Sequence, residues 1–283
     1  MTGTVRERFA AAAREERPDL AELCLLVGAE ADPALDGRAS DLAQVELDRL
    51  AGLLPYGLKT PAQWARALER VLGRGHGFHG TGADYRRLES SLLQEVLRRR
   101  RGLPILLSVV WMEVARRAGA PVHGVALPGH FVVALGEWEA LGRDPDACVL
   151  VDPFDGGRPL SPGDAEQLVA RATGTAPGAL PPSAMAPADP LDVVRRILAN
   201  IRVWATPEPE RMPVRLWTLD LTLLLPRHPA KLRYERAELL VAMGDFLGGA
   251  AEMEEYAEVV ATFDADSAAA IRAKARAARA LLN

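Results

Sequence analysis

The stretch that decides the fold is RRRRGLPILLSVVWMEVARRAGAPVHGVALPGHFVV, residues 98–133, whose apolar pattern changes period near its middle. From Pro104 onward the residues are apolar on nearly every side, which predicts a central, buried helix. Proline at the first helical position is a common start signal. Two β-branched runs, 122–127 and 131–135, follow on either side of Pro128-Gly129 and predict two antiparallel strands joined by a turn. The stretch therefore predicts an α+β core.

A third strand is predicted by VLVDPFDGG, residues 149–157. Asp152 stands at its end, where Pro153 and the Gly156-Gly157 turn stop the strand. His130 stands at the start of the preceding strand, directly after the Pro-Gly turn. The order helix, strand, strand thus places the helix start, His130 and Asp152 at one edge of the sheet.

This arrangement has the outline of a cysteine acyl-transfer site. Such a site needs a thiolate at a helix N-terminus, where the helix dipole and free N–H groups lower the thiol pKa. It also needs a histidine base and an acid or amide that orients the histidine. Here the helix starts with Pro104 and no cysteine. A purely structural role for His130 and Asp152 in their turns is the alternative, since both positions suit turn chemistry.

The stretch RRGLPILLSVVWMEVARRAGAPVHGVALPGHFVV…VDPF, with the helices around it, resembles the bacterial SirB-type branch of the transglutaminase-like superfamily, which carries C-terminal tetratricopeptide-like repeats. In the wider superfamily a Gly-x-Cys opens the buried helix and a Gly-x-Pro follows its end. Counting back from 119–121 puts the cysteine slot on Pro104. The resemblance implies a papain/transglutaminase-like core, with His130 and Asp152 as the family's histidine and aspartate. The branch commonly shows the same proline.

The resemblance therefore implies a transglutaminase-like protein without catalysis, which acts as a binding, scaffold or regulatory module. The alternative is a hydrolase or transamidase that uses His130 and Asp152 with a displaced nucleophile. Ser108 lies one turn into the helix, too deep to gain much from its dipole. Cys148 is four residues from Asp152 on the same strand, roughly 13 Å away. The other candidates, in the preceding helix, are Ser90 and Ser91.

Two domains are predicted. Residues 1–190 form the transglutaminase-like domain, with a helical N-terminal part, a helix start at Thr60-Pro61 and one helix over 84–101. Residues 174–190 are rich in Pro, Ala and Gly and predict a crossing segment or a linker. Residues 191–283 predict helices only. Because one repeat-like helix pair, 229–262, is clear and stable arrays need at least about three repeats, we expect this region to pack on the rest of the chain.

The composition narrows the classes of partner. A net charge of −4 does not favour binding to nucleic acid. The sequence has neither a secretory signal nor an apolar stretch long enough for a membrane span. We expect a cytoplasmic bacterial protein with a protein or peptide partner; the sequence does not give the oligomeric state. Two separate cysteines form no disulfide framework. We expect no cofactor and no metal, and a metal site from His76, His79 and His130 is a weaker alternative.

Overall fold

A computed structural model of the protein describes residues 3–35, 37–140 and 144–281. The chain divides into two compact units, residues 17–197 and residues 1–16 with 198–283. Residue 190, where we predicted a domain boundary, is the first residue of a helix, Pro190–Ala205, and the division of the chain falls after Ile197 within that helix. The predicted domains 1–190 and 191–283 stay a prediction.

The unit of residues 17–197 is α+β. Its helices are α2 (Leu20–Ala31), α3 (Gly37–Ala51), α4 (Pro61–Leu68), α5 (Leu93–Arg99), α6 (Pro104–Arg117), α7 (Pro162–Thr173) and the first half of α8 (Pro190–Ala205). Helix α4 begins as predicted: the Thr60 side chain accepts from the backbone N–H of Gln63, and Pro61 is the first helical residue. The chain continues from α4 as a π-helix over Glu69–Gly75.

Helix α6 is the centre of this unit. All residues from Pro104 to Ala115 are buried, which confirms the prediction of a helix enclosed on every side. Helices α3 and α5 pack on it, and the sheet covers it on another side. The indole of Trp111 lies edge-on to Phe78 with ring centroids 6.0 Å apart.

The sheet has four antiparallel strands in the order β1 (Val122–Val125), β2 (Val132–Gly136), β3 (Cys148–Asp152) and β4 (Arg158–Leu160). The first three strands were predicted, whereas β4 is too short to give a sequence signal. Val133 of β2 pairs with Val151 of β3, and Asp152 pairs with Arg158 of β4. This register carries the end of β3 to the start of β2, where His130 lies.

The predicted single helix over 84–101 is wrong. The segment forms two 3₁₀ turns, Gly82–Arg86 and Leu88–Ser91, before α5 begins. The buried Asp84 side chain accepts from the backbone N–H of Thr81 at 2.8 Å, which fixes the first turn. Helix α5 ends at Arg99, and the next residue, Arg100, has a left-handed φ of 59° that reverses the chain toward α6.

The other unit is all helical. It contains α1 (Val5–Ala12), the end of α8, α9 (Met212–Leu224), α10 (Lys231–Ala242), α11 (Phe246–Ala261) and α12 (Ala265–Ala280). Helices α9 to α12 pack on their neighbours in chain order, and α1 packs on α9. Gly244, with φ of 93°, and the N-cap Asp245 form the predicted turn between α10 and α11. Among the described residues no helix is both long and apolar enough to span a membrane.

A substitution in the π-helix can test how tightly this helix packs on the turn after Asp152. A Cβ on Gly73 would lie 1.9 Å from the backbone oxygen of Gly156. We therefore expect Gly73→Ala to lower the free energy of unfolding by about 1–3 kcal/mol, because backbone must move. Urea unfolding measures the change. Gly82→Ala, where a Cβ meets nothing within 4 Å, is the matched control, and equal stability of the two variants would contradict the packing.

Candidate functional site

His130 enters the site from a tight turn at the start of β2. Its backbone N–H donates to the oxygen of Leu127 at 3.2 Å, and Gly129 takes a φ of 70°. A side chain on Gly129 would collide with Ala172, so the turn needs glycine for both conformation and space. The His130 side chain is buried, with 9% of the residue exposed. The turn thus fixes where the imidazole lies.

Asp152 pairs with this imidazole. Both carboxylate oxygens lie 3.1 Å from His130 Nε2, and the residue is 3% exposed. The same carboxylate accepts from the backbone N–H of Phe154 at 2.9 Å and caps the 3₁₀ turn Pro153–Asp155. His130 and Asp152, which the sequence placed at one edge of the sheet, are therefore hydrogen-bonded to each other. The alternative of a structural role in the turn is also supported, because the Asp152 carboxylate both pairs with His130 and caps its own turn.

The start of α6 is linked to this pair through a glycine-rich loop, residues 73–82, which contains His76 and His79. Gly80 donates its N–H to the oxygen of Phe154 at 2.9 Å. A Cβ on Gly80 would lie 2.0 Å from the Phe154 ring and 2.7 Å from the oxygen of Gly102, two residues before Pro104. The Phe154 ring in turn lies edge-on to His130, with ring centroids 6.1 Å apart. Pro104 is buried as the first residue of α6, whose N-cap residue makes no side-chain hydrogen bond.

The alternative nucleophiles have other partners or lie elsewhere. Ser108 is buried and donates its hydroxyl to the backbone oxygen of Phe131 at 3.3 Å. The Ser90 hydroxyl lies between Asp84 and Arg99, 3.4 Å from each. Ser91 is buried beside it in the same 3₁₀ turn.

Cys148 lies at the opposite end of β3 from Asp152 and pairs with Gly136. Burial raises the pKa of its thiol to about 11. Burial also raises the pKa of Cys24, the second cysteine, in α2. Both thiols therefore lack the environment that activates a cysteine.

The histidines of the glycine-rich loop bond to their own backbone. His76 Nδ1 lies 2.8 Å from the oxygen of Val71, and His79 Nδ1 lies 2.8 Å from the oxygen of Gly77. Within residues 3–35, 37–140 and 144–281 no three His, Cys, Asp or Glu side chains are placed to hold a metal ion. The structure gives the alternative metal site no support.

Sequence reasoning missed three residues of this site: Arg196, Phe154 and Tyr85. Arg196 of α8 donates to the oxygens of Leu127 and His130, at 3.2 and 2.9 Å, and so holds both ends of the turn before β2. Its guanidinium lies 5.7 Å from the centroid of the Phe131 ring. Burial lowers the pKa of Arg196. The sequence could not reveal this contact, because 66 residues separate Arg196 from His130.

Phe154 and Tyr85 extend the site on its exposed side. Their ring centroids are 6.0 Å apart, in an edge-on arrangement. Tyr85 is 51% exposed, and burial, followed by the negative charge of Asp152, raises the pKa of its hydroxyl. The two rings and the imidazole thus form an aromatic surface beside a buried carboxylate.

The fold consists of a buried helix packed on a small antiparallel sheet, and the site is a paired histidine and aspartate at the edge of that sheet. The model of the Transglutaminase-like superfamily matches residues 35–199, more than half of the chain, so the protein belongs to that superfamily. It is similar to a UPF0162 protein of Xylella fastidiosa, 32% identical over 252 residues that cover 87% of this chain and 85% of that protein. A UPF0162 protein of Pseudomonas aeruginosa is 32% identical over 66% of this chain and 65% of its own. F-box only protein 21 of Mus musculus is 29% identical over 40% of this chain and 18% of its own.

Arg196 should be a main support of the His130 turn. We expect Arg196→Met to lower the free energy of unfolding by about 2–3 kcal/mol, because two carbonyls lose a charged donor. Urea unfolding measures the loss. The matched control is Arg171→Met on α7, an exposed arginine, which should change stability by under about 0.5 kcal/mol. If the two variants were equally stable, the hydrogen bonds to the turn would be energetically unimportant.

Proposed function

We propose that this protein is a non-catalytic, SirB-type member of the transglutaminase-like superfamily that acts as a binding, scaffold or regulatory module. The observation that carries the proposal is that Pro104, and no cysteine, starts α6 in a unit that keeps the His130–Asp152 pair. Thiol acyl transfer requires a sulfur at the helix start, where the N-terminal dipole favours the thiolate. The proline side chain is hydrocarbon, so it has neither a nucleophilic atom nor an acidic proton.

Proline at this position suits a structural use of the helix start. The first N–H groups of a helix have no partner within it, so the missing N–H of proline costs nothing there. The fixed φ of proline also favours the helical conformation. The same residue that strengthens the helix thus removes the nucleophile.

Three candidates for a replacement nucleophile are unfavourably placed. Ser108 and Ser90 are engaged in hydrogen bonds, and Cys148 lies at the far end of β3. The Tyr85 hydroxyl has a raised pKa, which makes its nucleophilic phenolate scarcer. These placements favour a binding role for the aromatic surface of His130, Phe154 and Tyr85.

The proposal includes a protein or peptide partner, a cytoplasmic location and a tetratricopeptide-like character for the C-terminal helices. Exposed apolar side chains on and after α3 favour a protein partner: Leu42 and Val45 are each 61% exposed, Leu53 is 47% exposed and Tyr56 is wholly exposed. Leu42 and Val45 are neighbours on one helix face. The net charge of −4 disfavours nucleic acid.

A hydrolase or transamidase remains the second candidate, because the His130–Asp152 pair leaves the second ring nitrogen, Nδ1, for a water or a displaced nucleophile. Thiol- and serine-directed acyl probes separate the two. For a binding module we expect no stoichiometric labelling at neutral pH, as read by intact-mass spectrometry. Labelling of one residue in the natural sequence that disappears in His130→Ala, but not in the control His123→Ala, would overturn the proposal.

Restoring the sulfur tests the geometry directly. In Pro104→Cys we expect the new thiol to react with iodoacetamide at pH 7 about tenfold faster than Cys24 or Cys148, because the helix N-terminus lowers a thiol pKa by a unit or more. Peptide mass spectrometry assigns the rates. Adding His130→Ala should slow the reaction.

The matched control is Ala118→Cys at the opposite end of α6, where the dipole raises a thiol pKa. Equal rates for the two engineered thiols would mean that the start of α6 does not offer an acyl-transfer environment. The resemblance of the site to that of the enzymes would then be superficial.

A further inference from the structure

A cavity lies away from the His130–Asp152 pair, between the sheet and the segment that crosses it. Its volume is about 410 Å³, within the range of roughly 300–1,000 Å³ that small-molecule sites occupy. Strands β3 and β4, the start of α7 and the crossing segment line it. The lining includes Cys148, Leu160, Glu166, Ala179, Leu180 and Met185.

The crossing segment, residues 179–188, is held against the sheet at two points and is here called the strap. His123 Nε2 of β1 lies 3.2 Å from the oxygen of Met185, and Ala188 donates its N–H to the oxygen of Gly124 at 2.9 Å. Leu180 and Met185 pack on the apolar cluster of the sheet. The strap therefore forms a fixed wall of the cavity, and its composition is poor in hydrogen-bonding side chains.

Among the described residues that line the cavity, Glu166 is the one with a charged side chain. The only other ionisable group there is the Cys148 thiol, which burial keeps neutral by raising its pKa to about 11. Glu166 is half-buried, and it makes no hydrogen bond or ion pair with any residue that the structure describes. No described residue therefore compensates the negative charge of its carboxylate, and the rest of the described lining is mostly aliphatic.

We propose that this cavity binds a small cationic amphiphile, with an aliphatic chain inside and an ammonium group on the Glu166 carboxylate. The aliphatic lining stabilises the chain by burial, and each added methylene should tighten binding up to about fourfold while room remains. The charge of Glu166 selects an amine and repels a carboxylate of the same length. The proposal is independent of the function proposed for His130 and Asp152.

The test compares octylamine with octanoate by isothermal titration calorimetry on the full chain, below the concentrations at which either aggregates. We expect octylamine to bind about tenfold tighter than octanoate or more, as one partly desolvated ion pair allows. Hexylamine should bind more weakly than octylamine. Glu166→Gln should remove the preference for the amine, whereas Glu89→Gln, on the surface outside the cavity, should keep it.

Alkylation of Cys148 locates the ligand. Bound octylamine should slow the reaction of Cys148 with N-ethylmaleimide several-fold and leave Cys24, in α2, unchanged. Ala179→Leu, at an exposed position of the strap, should weaken binding by filling the cavity without disturbing the fold. Equal affinities for the amine and the carboxylate, an unchanged preference in Glu166→Gln, or an unprotected Cys148 would each overturn the proposal.

Discussion

The burial of α6 is the constraint on which the unit of residues 17–197 depends. Apart from Ser108 and Glu113, the buried stretch from Pro104 to Ala115 is apolar, so its neighbours meet it mainly with apolar surface or bare backbone. Glycine supplies the bare backbone near the site: a Cβ on Gly157 would lie 2.9 Å from the indole nitrogen of Trp111. The turn that Asp152 caps is thus shaped by the helix as much as by its own hydrogen bonds.

The same constraint explains how a histidine–aspartate pair can persist without a nucleophile. His130 and Asp152 are both buried, and each satisfies the other. Removing one partner would leave a buried polar group without its hydrogen bond, at a cost of about 1–3 kcal/mol or more if the group is charged. Pro104 is under no such restraint, because the first residue of a helix needs neither a side-chain hydrogen bond nor an N–H. Replacing the cysteine therefore changes the stability of the fold little, whereas removing either member of the pair lowers it.

Much of the fold could be predicted from the sequence where local signals and tertiary packing agree. Thr60-Pro61 and Pro104 start helices as predicted, and Pro128-Gly129 joins two strands. The prediction over 84–101 was wrong because a buried aspartate, Asp84, outcompeted helical spacing with its own turn. Arg196 could not be foreseen, since its partners are carbonyls distant in sequence. Every residue has a backbone carbonyl, so the sequence does not show which carbonyls an arginine binds.

The two sites of this unit lie at opposite ends of one strand, which makes their chemistry separable. Asp152 ends β3 beside His130, while Cys148 begins β3 beside the aliphatic cavity. Four residues of extended strand separate them by roughly 13 Å, so a short ligand in the cavity does not reach the imidazole. Glu166 and Asp152 also differ in kind: one carboxylate lacks a partner among the described residues, and the other is committed to His130 and to its own turn. A bound cation therefore stabilises the Glu166 carboxylate more than that of Asp152, whether or not His130 acts as a base.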